Sequence, residues 1–148
     1  MRSKTFLVTG GSGFLGHALI TRLAKLPDCS VVAPVRAASA VFPACVRRLA
    51  LTSLNGSNDW SEALADVDVV VHAAARVHVM KEVSSDPLAA FRQVNVEATL
   101  NLARAAAASG VKRFIYISSI KVNGEGTPPG TAYNADDVPA PIDPYGIS

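Results

Sequence analysis

The chain has 148 residues, about the size of one domain. Apolar residues make up 49% of it and charged residues 18%, so it can bury a core and is no disordered tail. A net charge of +2 without a basic run argues against a nucleic-acid surface, and no apolar stretch approaches the roughly 20 residues that span a bilayer.

In chain order, Lys4–Thr9 reads as a short strand ended by Gly10. The N-terminus runs straight into it, so Met1 to Leu7 is not expected to be a signal peptide. Phe14–Leu26 carries apolar residues at helical spacing, and Pro27 closes it. Ser30–Val35 reads as a second strand, with Pro34 marking its end. Residues 37–46 lack a period and read as a loop or short helix. Arg47–Thr52 reads as a third, weaker strand, and Trp60–Leu64 as a short helix capped by Asp59. Val67–Ala73 reads as an apolar strand that contains Asp68. Pro87–Ala108 is a long helix stopped by Gly110, and Val111–Ser118 is a further strand. From Asn123 to Pro144 the chain is rich in Gly, Pro and Asp and reads as a long loop. Asp143-Pro144-Tyr145 then caps and opens another helix.

This alternation predicts an α/β fold: a doubly wound parallel sheet of about five strands with helices on both faces. The strands are apolar on both faces, as a sheet sandwiched between helices requires. The only cysteines, Cys29 and Cys45, have no metal-ligand spacing. They are expected to be reduced thiols of a cytoplasmic protein, and no metal is expected.

The strongest motif is Thr9-Gly10-Gly11-Ser12-Gly13-Phe14-Leu15-Gly16, which follows a strand and opens a helix. Gly10 permits a tight turn, Gly13 lets a pyrophosphate approach the backbone, and Gly16 lets the helix pack close to the strand. The N–H groups and positive end of the helix then receive the phosphates.

With this turn at its N-terminus, the chain resembles the extended short-chain dehydrogenase/reductases, a group of nucleotide-sugar epimerases, dehydratases and 4-keto reductases with a Rossmann-like domain. The resemblance covers essentially the whole chain. It includes His72-Ala73-Ala74-Ala75, Asn95 in Asn95-Val96-Glu97-Ala98-Thr99-Leu100, Tyr116-Ile117-Ser118-Ser119 and Pro144-Tyr145-Gly146, in the family's order. It implies a cofactor side formed by Gly10, Gly13, Phe14, Leu15, Gly16, Ala73, Ala74 and Ala75, with Asn95 as a supporting residue that ties its helix to the sheet. His72 is expected to be structural.

The second strand ends in Val35-Arg36, where a carboxylate would grip the ribose 2′-OH of NAD. Arg36 instead offers donors suited to a 2′-phosphate, so NAD or NADP is expected with a lean to NADP. Ser53 and Leu54 fall where the family often places an acidic and an apolar residue beside the adenine. Ser53 departs from that pattern but can hydrogen-bond.

The resemblance implies catalysis by Ser119, which polarises the sugar oxygen, and Tyr145, which exchanges a proton with it. Ser118, beside Ser119, is able to exchange roles with it. Free tyrosine has a pKa near ~10 and needs a nearby positive charge to act as a base at neutral pH. The family's lysine falls at position 149, immediately past Ser148. Arg76, His78, Ser118, Lys121 and Asn123 are expected on the substrate side. Ile120-Lys121 follows Ser119 where dehydratases carry an acid pair, which disfavours dehydration. Val122-Asn123-Gly124 stands where the family often has Val-Tyr-Gly.

The expected function is therefore 4-epimerisation of a UDP-sugar by hydride removal and return. NADPH-dependent reduction of a 4-keto sugar and a non-catalytic NAD(P)-binding module are the alternatives. Family enzymes run about twice this length. Residues 1–148 thus read as the N-terminal NAD(P)-binding domain, without the C-terminal substrate domain and inactive alone. The full-length enzyme is expected to be a homodimer, and the last strand here is expected to form an open sheet edge.

Overall fold

The structure, a computed structural model, describes residues 3–36, 41–77 and 84–148. Five parallel strands form one sheet in the order β3-β2-β1-β4-β5. They are β1 (Lys4–Thr9), β2 (Cys29–Val35), β3 (Val46–Ala50), β4 (Val69–His72) and β5 (Arg113–Tyr116). From β1 the chain winds outward to β2 and β3, then returns to place β4 on the other side. That reversal opens a crevice at the carboxyl ends of β1 and β4, the usual ligand position in such sheets. The register Thr9↔His72 sets those two ends level.

Each face has its own core. Val8, Val31 and Val71 pack against Ile20 and Leu23 of α1 (Phe14–Leu23). Leu7, Val32 and Val70 pack against Leu64 of α2 (Ser61–Leu64) and Leu102 and Ala106 of α4 (Thr99–Ala108). Burying each such side chain contributes roughly 1.5–3 kcal/mol. Trp60 lies in the second core, and its indole N–H donates to Asn101 Oδ1.

Several boundaries differ from the sequence reading. α1 ends at Leu23 rather than Leu26, because Lys25 and Leu26 turn tightly back onto the Arg22 and Leu23 carbonyls and Pro27 disfavours helix before it. β3 spans Val46–Ala50 rather than 47–52, with one more bond from Leu51 N–H to the Val35 carbonyl. β4 and β5 are shorter than expected by their end residues. Residues 41–45 form no helix, and 37–40 lie outside the described residues.

The long helix is not uniformly α. It runs as α3 (Pro87–Arg92), a π-wound stretch (Gln93–Ala98) and α4. Its inward positions are Phe91, Asn95, Ala98, Leu102 and Ala106, so one polar side chain sits in an otherwise apolar buried row.

The expectation of strands apolar and covered on both faces holds for the inner three only. Arg47 and Arg48 of β3 are exposed, as are Ile115 and Tyr116 of β5. α1 packs on β1 and β2, which leaves that face of β5 uncovered. Among the described residues no helix is long and apolar enough to cross a membrane.

Candidate active site

A cavity of about 940 Å³ runs along the carboxyl ends of the strands, within the range of ligand sites. The glycine turn forms its floor. Gly10 has φ +71°, in the left-handed region, and a Cβ there would stand 2.7 Å from the Ala73 and Ala74 backbone. A Cβ on Gly16 would collide with the Gly10 carbonyl. Gly13 differs: its Cβ would meet only the Gly10 oxygen, at 3.3 Å. Two glycines thus let β1, β4 and α1 pack together, and the third leaves backbone open to the cavity.

Gly13 N–H closes the turn on the Gly10 carbonyl at 2.9 Å. The first helical bond then runs from His17 N–H to the Gly13 carbonyl. The amides of Phe14, Leu15 and Gly16 precede it and have no intrahelical acceptor. No side chain caps this helix. Such a helix start fits a diphosphate, so the residues present suit a dinucleotide.

The opposite wall is Ala73, Ala74 and Ala75, immediately after β4. Thr9 Oγ1 accepts from Ala74 N–H at 3.2 Å and lies 2.6 Å from His72 Nδ1. His72 Nε2 lies 2.9 Å from Thr99 Oγ1, at the start of α4. Burial pushes the His72 imidazole down to about 4, so the ring is neutral near pH 7.

One end of the cavity is lined by Arg36, directly after β2, and by Ser53 and Leu54 beyond β3. Ser53 Oγ accepts from Asn55 Nδ2 at 2.7 Å. The other end is lined by Arg76, Ser118 and Tyr145. Tyr145 stands in α5 (Pro144–Ile147), where Asp143 Oδ1 caps the helix by accepting from Gly146 N–H at 2.6 Å. A Cβ at Gly146 would come within 2.7 Å of the Lys121 carbonyl, so α5 seats directly on the Ile120–Val122 turn. The Tyr145 ring lies 6.2 Å from Phe91, over which the Arg76 guanidinium stands at 5.3 Å. Burial raises the Tyr116 phenol, and nearby Tyr145 raises it further.

Other expected residues stand outside the cavity lining. The Ser119 hydroxyl accepts from Lys121 N–H at 3.3 Å and caps the turn that follows. Lys121 pairs with Glu125 and, at 3.6 Å, with Asp143, so its ammonium faces carboxylates of its own loop. The hydrogen bond to Glu125 is the main cause of its raised pKa. Asn123 N–H closes that turn on the Ile120 carbonyl at 2.9 Å. His78 lies outside the described residues.

Asn95, buried in the π-wound stretch, holds both sides of one residue. Its Oδ1 accepts from Arg76 N–H at 2.7 Å, and its Nδ2 donates to the Arg76 carbonyl at 3.2 Å and to Ser148 Oγ at 2.8 Å. Ser148 Oγ donates in turn to the Tyr145 carbonyl at 2.8 Å. Asn95 therefore joins the loop after β4 to the helix that carries Tyr145.

Sequence reasoning assigned no role to Thr99 or Ser148, and gave Phe91 packing alone, which its burial and its contact with Tyr145 bear out. Thr99 falls within a quoted motif, four residues beyond Asn95, but no spacing announces Ser148.

The order 3-2-1-4-5, the glycine turn at the point of strand reversal and a tyrosine helix at the far end of one cavity are the arrangement of a short-chain dehydrogenase/reductase domain. Over residues 6–148 the chain matches the model of the NAD dependent epimerase/dehydratase family, and it belongs to that family. It is 45% identical over 145 residues to a UDP-glucose 4-epimerase of Vibrio cholerae, covering 98% of this chain and 44% of that enzyme. It therefore spans less than half the length of that relative. Among solved structures it resembles UDP-glucuronic acid 4-epimerase from Bacillus cereus in complex with NAD, with TM-score 0.80 and 26% identity over 97% of this chain and 48% of the other. UDP-N-acetylglucosamine 4-epimerase from Methanobrevibacter ruminantium M1, in complex with UDP-N-acetylmuramic acid, matches with TM-score 0.79 and 28% identity, covering 99% and 47%.

Proposed function

We propose that this chain forms the dinucleotide-binding part of a nucleotide-sugar 4-epimerase that removes and returns a hydride at one sugar carbon. The carrying observation is that the glycine turn, the Ala73–Ala75 wall and Tyr145 line one cavity at the strand reversal. The resemblance to UDP-sugar epimerases supports the substrate class.

Gly10 through Gly16 would hold the diphosphate, with Arg36, Ser53 and Leu54 at the adenosine end and Arg76 and Tyr145 at the nicotinamide end. When bound, the dinucleotide supplies hydride acceptance and donation. Tyr145 moves the proton of the sugar hydroxyl at its Oη. Lys121 is engaged with carboxylates of its own loop, so its ammonium is directed away from a role beside Tyr145. Ser119 uses one lone pair on Lys121 N–H, which leaves its O–H to donate to the same sugar oxygen.

A second reading, reduction of a 4-keto sugar by NADPH, is favoured by Arg36, an arginine at the cavity end where NAD-specific sites carry a carboxylate. Calorimetric titration with NAD⁺, NADH, NADP⁺ and NADPH tests both. Arg36→Ala should weaken the phosphorylated pair by about tenfold, the loss of a charge-assisted contact, and leave the others unchanged. Equal loss for both pairs rejects the role of Arg36, and no heat with any of the four overturns the cofactor site.

A further inference from the structure

Thr9, His72 and Thr99 form a polar line across an otherwise apolar layer. Thr9 is 1% exposed and His72 fully buried. The rings of Phe114 and Tyr116 flank the imidazole at 6.1 and 6.0 Å. The Thr9 hydroxyl that meets His72 also receives Ala74 N–H, in the cavity wall. Gly10, the next residue, already stands against that wall with no room for a Cβ.

We propose that His72 is a positioning residue of the dinucleotide cradle: as a neutral ring spanning Thr9 to Thr99, it orients the Thr9 hydroxyl and so fixes the Ala74 peptide beside the glycine turn. The inference rests on reading the cavity as a dinucleotide site. A hydroxyl has one proton and two lone pairs. Receiving Ala74 N–H, Thr9 Oγ1 still has its proton to give to Nδ1, while Nε2–H donates to Thr99. Protonation makes both ring nitrogens donors. Thr9 then receives two N–H groups on its two lone pairs, and its own proton loses its buried acceptor.

Among the described residues, no carboxylate compensates a charge on the ring. β1 brings Thr9, α4 brings Thr99, and β5 brings Phe114 and Tyr116; the one titratable group among them is a phenol, neutral in acid. The lowered imidazole pKa agrees with this geometry.

Two measurements test the proposal. Imidazole ¹⁵N NMR of the 148-residue chain should show His72 as one neutral tautomer down to about pH 5, below the ordinary histidine range. NADH titration by fluorescence should show His72→Phe weakened about tenfold near pH 7.5. His72→Asn, whose amide reaches Thr9 in place of Nδ1, should recover binding to within about threefold. Thr99→Val keeps its shape and should weaken binding several-fold with circular dichroism unchanged. A His72 ring that titrates near pH 6.5, or His72→Phe binding NADH as tightly as wild type, overturns the proposal. Where His72→Phe does not fold, Thr99→Val and the wild-type ring decide. If wild-type protein binds none of the four nucleotides, the cofactor reading fails and the cradle role with it, while the NMR result still separates that failure from loss of the bridge.

Discussion

Gly10 and Gly13 belong to one turn but answer to different forces, and substitution separates them. Gly10→Ala places a methyl in a left-handed backbone and against Ala73 and Ala74. It should cost about 1–3 kcal/mol of stability, read as a lowered urea midpoint. Gly13→Ala has an ordinary φ of −83° and a single contact, so the fold should survive nearly unchanged. Its methyl points where the diphosphate would lie, and dinucleotide affinity should fall at least ~10-fold. The reverse pattern, with Gly13→Ala unfolding and still binding, contradicts the assignment of the open amides. His72 gives a second prediction, in acid. Its folded pKa, about 4, lies below its ordinary 6.5. The unfolded chain therefore takes up a proton as pH falls through 6.5, and the folded chain resists until about 4. Stability is untouched by this group at pH 7, falls across that window by about 3 kcal/mol at ~1.4 kcal/mol per pKa unit, and levels off below it. Urea unfolding of wild type and His72→Asn over this range should diverge; parallel curves would refute the shift.

α5 is one turn long, and its cap and anchors set where Tyr145 stands. Asp143→Ala removes the bond to Gly146 N–H and the contact with Lys121, and should cost about 0.5–2 kcal/mol. Tyr145 should then lose its packing on Phe91, visible as a change in near-ultraviolet circular dichroism; an unchanged tyrosine signal argues that Asn95 and Ser148 hold the helix alone. The cap was legible from Asp143-Pro144, because caps depend on a few adjacent residues. β1, the glycine turn and the start of α1 were legible for the same reason. The π winding was not. Gln93–Ala98 has the composition of any helix, and the Arg76 peptide that Asn95 grips lies 19 residues away in sequence. The sequence shows Ser119 at a strand end, but that its hydroxyl bends back to Lys121 is a matter of local backbone geometry. Arg47 and Arg48 kept β3 weak in sequence because an edge strand need not be apolar.

At the scale of the molecule, the two cores differ in reach. The α4 side extends to Phe114 of β5, whereas on the α1 side Ile115 is 38% exposed. β5 is also an outer strand of the sheet, so among the described residues an open backbone edge and uncovered apolar side chains coincide there. Light scattering should show this 148-residue chain associating as concentration rises, and Ile115→Lys should shift it toward monomer. A monomer at all concentrations counts against edge-driven pairing.

Trp60, the only tryptophan, is 2% exposed and bonded to Asn101. Its emission is therefore a built-in gauge of whether α2 and α4 remain docked. Excited at the indole band, the protein should emit toward the blue when intact and shift red on denaturation. A bound reduced nicotinamide should draw down that light by energy transfer without moving its colour, so one fluorescence trace distinguishes an occupied domain from a melted one.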